Sequence, residues 1–492
     1  MNILLGIGLV LLFCCVSSKV MYKFGMPTLV LFLGLGMFLG SDISGLIYFD
    51  NADLAEQICN VALVFIMFYG GFGLDWKKAK STALPAGVLA SLGVALTALF
   101  LGYLIHIIFG LTLVQGLILG SILGSTDAAS IFSILNSHNL NLKNNLNYLL
   151  EIESGSNDPT AYMLTTIFIA IELAKSQNIF LTLIVQIVVA IILGLGIGKL
   201  GVYLINKINL EIDGLYSILL ISIALLSYSI TSALGGNGFL AVYFTGIVIG
   251  NSRIVHRFSM IKYFDGLTWL MQILLFITLG LLSFPSTMKE HLLDGVIVAF
   301  FMFFVVRPIV VFLILHFFKR YDFKQKILIS WAGFRGAASI VFATYTLTAN
   351  LDNADWYFNV VFVVALLSVV FQGTLFVPLA KKLDLVSDDV NNLTNFYAED
   401  GTISAQLLEV DITPTSPALN KKIIDFDIPE EVLIIMIRRN NKIITPKGNT
   451  KLLLGDKILI GGPQKKLIAL AKELENRKLN TSIDFEQEIE QI

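Results

Sequence analysis

Two stretches of small residues carry charge inside long apolar segments: Gly124-Ser-Thr-Asp-Ala-Ala-Ser-Ile131 and Gly333-Phe-Arg-Gly-Ala-Ala-Ser-Ile340. Five of the eight positions are identical, and the acid of one copy (Asp127) is answered by a base in the other (Arg335). Between them lies a third polar island, Glu151-Ile-Glu-Ser-Gly-Ser-Asn-Asp-Pro159. An ionised Asp at the centre of a bilayer costs at least about 2.5–3.5 kcal/mol, so such residues face water or a partner and usually serve a function. Asp158 follows Ser154 by four positions, which stacks the two on one helical face. Gly124, Ser125 and the alanines after Asp127 permit an unwound segment with free carbonyls at Thr126 and Asp127. The Asp127 and Asp158 carboxylates, the Ser154 hydroxyl and the Thr126 carbonyl then form an oxygen set suited to a dehydrated sodium or potassium ion. Burial favours the neutral acid and a bound cation the ionised one, so proton and metal ion compete for one carboxylate. With alternating access, that competition is exchange.

Arg335 is expected to be the counter-charge, because an unpaired arginine in the membrane is costly, with Glu153 its natural partner. Asn157 is placed to orient that pair through its amide. The pair is read as a tether between crossing helices rather than as an ion ligand. Arg307, before Pro308, is expected to stabilise a helix kink or to bond freed carbonyls. Glu151 and Asp265 are candidates for an access funnel, although Asp265 fits an interfacial position equally well. His106 is near a span end and reads as interfacial.

These residues need membrane helices to hold them. The chain of 492 residues is 56% hydrophobic and 14% charged, far below the roughly 25% charge of soluble domains. Apolar runs of roughly 20 residues, enough to span a core of about 30 Å, fill positions 2 to 380. Thirteen spans are predicted, near 2–18, 26–40, 55–74, 82–108, 112–136, 146–174, 178–205, 214–233, 237–252, 259–282, 293–318, 326–349 and 356–380. Lysine and arginine fall almost wholly in the loops after odd-numbered spans, which by the positive-inside rule sets the N-terminus outside and the C-terminus in the cytoplasm. The first run lacks a basic leading region and a small-residue cleavage site, and is expected to be retained as a helix. The two motif copies fall in spans five and twelve. An odd separation means they cross in opposite directions, as in the inverted repeats of secondary transporters. Cys14, Cys15 and Cys59 lack ligand spacing, so neither a disulfide framework nor a resident metal site is expected.

Near Val386 the composition changes. Residues 386–402 read as a polar linker. Short β-like runs come next at Gln406–Ile412, Glu431–Ile437 and Lys457–Ile460, then a helix over Pro463–Glu475 and a polar acidic tail over 476–492 expected to be disordered. The fold expected is therefore an all-α polytopic membrane protein of about 13 transmembrane helices. It has two inverted six-helix repeats, crossed broken helices and a small cytoplasmic α+β C-terminal domain. Its domains are 1–385 for transport and 403–475 for regulation.

Thr126-Asp127, Glu153-Ser154, Asn157-Asp158 and Gly333-Phe-Arg-Gly336 resemble, in order and placement, the motifs of the monovalent cation:proton antiporters of the NhaP type. The resemblance covers residues 1–385. It implies an ion bound near Thr126, Asp127, Ser154 and Asp158, with Glu153 and Arg335 paired beside Asn157. It also implies a homodimer in a bacterial inner membrane, an elevator-like movement of the ion-carrying bundle, and electroneutral exchange of one cation for one proton. Many relatives carry an acid before a Gly-Gly pair in span three; here Tyr69 precedes Gly70-Gly71. Residues 403–475 resemble the TrkA-C regulatory domain of potassium transport systems, which favours potassium over sodium and implies a small regulatory ligand. No enzyme activity, cofactor or nucleic-acid partner is expected. A cation channel gated by the C-terminal domain is the main alternative outside exchange; it would need a filter sequence such as Thr-Val-Gly-Tyr-Gly. An aspartyl protease would need two carboxylates sharing a proton, and its usual Gly-x-Gly-Asp pattern is absent.

Overall fold

The computed structural model describes residues 3–474, apart from 25–27, 128–129, 132–133, 136–139, 175–177, 388–392, 398–403, 415, 427, 440–441, 463–465, 468–469 and 472–473. The chain forms two compact units, Met1–Asp389 and Val390–Ile492.

The first unit is helical. Its principal helices are α1 (Ile3–Phe24), α2 (Thr28–Leu39), α3 (Ala52–Gly73), α4 (76–109), α5 (Leu113–Ile122), α6 (Leu146–Glu172), α7 (Ile179–Lys207), α8 (Asp213–Ala233), α9 (Gly238–Gly250), α10 (Arg257–Leu282), α11 (292–315), α12 (Phe323–Trp331), α13 (Ala337–Thr348) and α14 (354–382). Among the described residues, seven helices are long and apolar enough to cross a bilayer: 52–73, 79–109, 179–207, 214–233, 259–282, 292–315 and 354–382. Of the six remaining predicted spans, the three that carry the polar motifs depart from that pattern for a physical reason. The polar island 151–158 dilutes the apolar character of α6, and the two motif copies interrupt spans five and twelve.

Both interrupted spans start alike. Thr112 and Gln115 form a capping box at the head of α5, and Asp322 and Gln325 form one at the head of α12. Each box satisfies otherwise orphaned backbone donors and sets the phase of a short helix. Those helices run only 10 and 9 residues before the small polar motif residues stop them. Three longer helices, α4, α11 and α14, each contain one π-helical turn, at Leu89–Gly93, Met302–Val306 and Ser368–Gln372. A π-turn adds a residue to the helical register and re-aims the side chains beyond it. In α11 the first residue after the π-turn is Arg307.

α3 and α9 approach to backbone contact. A Cβ on Gly71 would overlap the Tyr243 carbonyl, and one on Gly246 would overlap the Phe68 carbonyl. Small residues of this kind let membrane helices touch along their backbones. The contact occupies one side of the Gly70-Gly71 pair and leaves Tyr69 and Gly70 on a cavity described below.

Beyond α14 the chain turns at Asp384 (φ +59°) and forms a two-stranded antiparallel ribbon, β1 (Asn141–Leu142) with β2 (Val386–Ser387). Lys143 N donates to the Leu385 carbonyl at 2.9 Å, and Lys143 Nζ meets Asp384 Oδ1 at 3.0 Å. The lysine hydrogen bond holds the Asp384 carboxyl below its ordinary range.

The second unit is a five-stranded antiparallel sheet in the order β3 (Leu393–Tyr397), β4 (Ser404–Asp411), β7 (Lys457–Gly462), β5 (Leu433–Arg439) and β6 (Lys442–Ile444). Val410, Ile437, Ile458 and Ile460 are fully buried at its core. Asp456 is also buried, and Arg439 Nε and Nη2 both donate to its carboxylate at 2.7 Å. The segment 386–402, expected to be a linker, contains strands β2 and β3. Asn and Asp marked it as loop, but Leu393-Thr-Asn-Phe-Tyr397 pairs residue by residue with β4. The expected helix over Pro463–Glu475 falls partly outside the described residues, and the tail 476–492 lies wholly outside them.

Candidate ion-binding site

The two motif copies are where the helices break, and the breaks cross. After α5 the residues Ser125, Thr126 and Asp127 are non-helical; after α12 the same holds for Gly333 to Gly336. Asp127 N donates to the Phe334 carbonyl at 2.8 Å, joining the two segments directly. Asp127 and Gly336 occupy the same position in the repeat, and the Asp127 carboxylate fills the space that a Gly336 side chain would need. Gly336 is the N-cap of α13, so the acid sits at the positive end of that helix. In the opposite sense, Arg335 Nη1 donates to the Ser125 carbonyl at 2.6 Å, just beyond the negative end of α5. Each break thus supplies the charge that neutralises the other's exposed helix end. Asp127 is further held by Ser130, whose hydroxyl donates to Oδ2 at 2.6 Å. Ser339, the repeat equivalent of Ser130, has a buried hydroxyl without a hydrogen-bond partner, as expected where Gly336 replaces the acid.

α6 passes beside this crossing and presents Glu153, Ser154, Asn157 and Asp158, all buried. Asp158 Oδ1 accepts a short hydrogen bond from the Ser125 hydroxyl. The Thr126 and Ser154 hydroxyls lie 2.9 Å apart, and Asn157 Nδ2 donates to Thr126 Oγ1. Thr126, Asp127, Ser154 and Asp158 line one cavity of about 450 Å³, together with Glu151, Asp265 and Tyr69. No lysine or arginine is among its described lining residues. The Tyr69 hydroxyl donates to Asp265 Oδ1 at 3.2 Å, so the tyrosine in the Gly-Gly motif meets an acid from α10. Asp265 is exposed at the cavity mouth. His106 is exposed, with Nδ1 2.6 Å from the Leu111 carbonyl, away from the site.

Three sequence expectations are corrected here. The ion pair of Glu153 is made by Arg307, not Arg335: Arg307 Nη2 lies 2.5 Å from Glu153 Oε1, both side chains buried. The π-turn in α11 aims Arg307 beneath the α12–α13 break, where Gly333 leaves room for it; a Cβ there would stand 2.6 Å from Arg307 Nε. Arg307 is therefore a counter-charge rather than a helix-kink stabiliser. Asn157 likewise serves Thr126, not the ion pair, and its Oδ1 is buried without a hydrogen-bond partner. Sequence reasoning also missed Ser125, although it lies within the repeated motif, and Ser368, whose hydroxyl accepts from Arg335 N at 2.8 Å.

The fold is that of a helical membrane transporter. Over 78% of this chain and 99% of the other, it matches the sodium proton antiporter MjNhaP1 from Methanocaldococcus jannaschii, with a TM-score of 0.67 at 23% identity. Residues 8–382 match the model of the sodium/hydrogen exchanger transmembrane family, and the chain belongs to that family. Residues 407–475 match the TrkA-C domain. Similar relatives are the K(+)/H(+) antiporter NhaP of Alkalimonas amylolytica, 34% identical over 93% of this chain and 80% of the relative, and the K(+)/H(+) antiporter NhaP2 of Shewanella baltica, 35% identical over 92% and 80%. The chain is a transporter, not an enzyme.

Proposed function

We propose that this protein exchanges a monovalent cation for protons, one for one, with potassium preferred to sodium, and that Asp158 is the carboxylate for which the two compete. The observation that carries this is the convergence of Asp158, Asp127, Thr126 and Ser154 at the floor of one cavity, where the two helix breaks cross. A dehydrated alkali cation there meets carboxylate and hydroxyl oxygens. The unpartnered Asn157 Oδ1 beside Thr126 offers one more. With the cation gone, a carboxylate this deeply buried is stable only if protonated or paired, and Arg335 is already engaged by the Ser125 carbonyl. Binding one substrate therefore expels the other. The Glu153–Arg307 pair holds α6 to the break without entering the cavity lining. The potassium preference is supported by the names of the relatives that match over nearly the whole chain, C-terminal unit included.

The wider architecture in this proposal is thirteen crossings with the N-terminus outside, arranged as two inverted six-helix repeats, in a homodimer. The paired capping boxes and the contact between repeat-equivalent Asp127 and Gly336 support the inverted repeats. Residues 1–385 transport, and 403–475 regulate by binding a small ligand. Purified protein in liposomes tests the central reading. A potassium gradient should drive saturable proton movement that is indifferent to a clamped membrane voltage and weaker with sodium. Cation flux without proton movement would mean a channel, and would refute exchange.

A further inference from the structure

Past Asp158 on α6 lies a second cluster, of rings and hydrogen bonds, for which nothing in the ion site accounts. Tyr162 stands one turn beyond Asp158 on α6, about 6 Å along the axis. Its ring packs against Phe239, Phe342 and Tyr345 at centroid distances of 5.1, 6.1 and 5.7 Å. Three hydrogen bonds cap this aromatic layer. The Tyr345 hydroxyl donates to Asn60 Oδ1 at 2.6 Å, the Thr348 hydroxyl donates to Glu56 Oε2 at 2.6 Å, and Asn60 Nδ2 donates to Glu56 Oε1 at 3.4 Å.

The placement of these groups along the helices is consistent. On α3, Glu56 and Asn60 lie near the start; the cavity lining begins at Leu63, about 5 Å past Asn60 along the axis, and runs to Gly73 at the other end, about 25 Å from Glu56. On α13, Ala337 and Ala338 line the cavity, whereas Tyr345 and Thr348 lie at its far end. On α6, Glu151, Ser154 and Asp158 precede Tyr162 in the same sense. Phe342 and Tyr345 are buried, and no cation can cross a packed layer of rings. α13 is also the half-helix whose N-terminus faces Asp127, so a bond made at its far end bears on the ion site through one short rigid element.

We propose that Tyr162, Phe342 and Tyr345, latched by the Glu56–Thr348 and Asn60–Tyr345 hydrogen bonds, are the closed gate between Asp158 and the membrane face opposite the cavity mouth. Glu56 is the carboxylate past which the cation leaves when the latch opens. These are positioning residues: they set which face the site is open to and do not touch the bound ion. The inference rests on the exchange reading above, but its primary test does not depend on exchange.

Loss of one hydrogen bond to a carboxylate shifts a two-state equilibrium by about tenfold. The measurement uses the full chain with Cys14, Cys15 and Cys59 replaced by alanine and Ala338→Cys as the reporter on the cavity floor, labelled with a membrane-impermeant maleimide from each face in turn. Labelling should be fast from the cavity face and slow from the opposite face. Thr348→Val should raise the rate from the opposite face about tenfold, Tyr345→Phe should raise it several-fold, and Thr348→Ser, which keeps the hydroxyl, should restore the slow rate. Where exchange is measurable, Thr348→Val should also raise the half-saturating cation concentration on the cavity face and lower it on the other. A residue with a merely structural role would reduce the folded yield and leave the ratio between faces unchanged. An unchanged labelling ratio in folded Thr348→Val and Tyr345→Phe proteins would overturn the gate. Absent exchange in the unmodified protein would sink the exchange reading, while the labelling would still decide the gate.

Discussion

Removing the guanidinium of Arg307 is the sharpest test of how charge is balanced at the crossing. In Arg307→Leu the Glu153 carboxylate, 1% exposed, is left without its partner at 2.5 Å. With charge centres about 4 Å apart and an effective dielectric near 20, the pair's attraction is about 4 kcal/mol. Breaking such a buried pair from one side typically costs about 3–5 kcal/mol, a large part of a total stability of about 5–15 kcal/mol. Replacing both partners, Arg307→Leu with Glu153→Met, removes the orphan charge and should restore most of the loss. The expected coupling between positions 153 and 307 is therefore about 3 kcal/mol. Between positions 153 and 335 it should be below about 1 kcal/mol, since the guanidinium of Arg335 is bonded to the Ser125 carbonyl. Both cycles can be measured by denaturant unfolding of the purified protein in one detergent. A larger coupling for Glu153 with Arg335 than with Arg307 would refute the pairing, and with it the role assigned to Gly333.

Three further outcomes rest on single contacts. Ser125→Ala removes the hydroxyl that donates to Asp158; loss of about 1 kcal/mol should raise the half-saturating cation concentration about fivefold in a proton-coupled exchange assay without preventing insertion. Gly336→Ala places a methyl group in the Asp127 carboxylate, so exchange should fall steeply while Gly70→Ala, which meets nothing within 4 Å, is tolerated structurally. In the C-terminal unit, burial alone would raise the Asp456 carboxyl, but the Arg439 hydrogen bonds and the Leu453 N–H outweigh it and hold it below the ordinary range. A depressed carboxyl contributes stability above its unfolded value and loses it as pH falls through the folded one. Unfolding of this unit should therefore be flat above about pH 5 and worsen below about pH 4. Arg439→Ala should destabilise it by about 2–3 kcal/mol at neutral pH, read by thermal unfolding of the full chain.

Much of the transport unit was legible because lipid imposes simple rules on sequence. Apolar runs mark helices, and a charge within one marks a site. Spacing of four along α6 put Ser154 and Asp158 on one face, and the repeated small residues marked the two helix breaks. The pairing of Glu153 was not legible, because two arginines are available, Arg307 in α11 and Arg335 in the α12–α13 break, and sequence spacing says nothing about which of those segments meets α6 at Glu153. The deciding device is the π-turn Met302–Val306, a one-residue change of register with no compositional signature. Asn157 was misassigned for a related reason: its neighbour Glu153 is close in sequence, but Thr126 is close in space. The strands β2 and β3 were hidden by the polar residues around them, since sheet pairing depends on a partner strand rather than on local composition.

The most direct test of the competition at Asp158 is a proton count. Potassium is added to the purified, weakly buffered protein near neutral pH, and the protons released are measured with a pH indicator. The expected result is release of about one proton per chain, as competition at a single carboxylate requires, with the release absent in a folded Asp158→Asn protein. Potassium binding without proton release, or the same release from Asp158→Asn, would contradict the account.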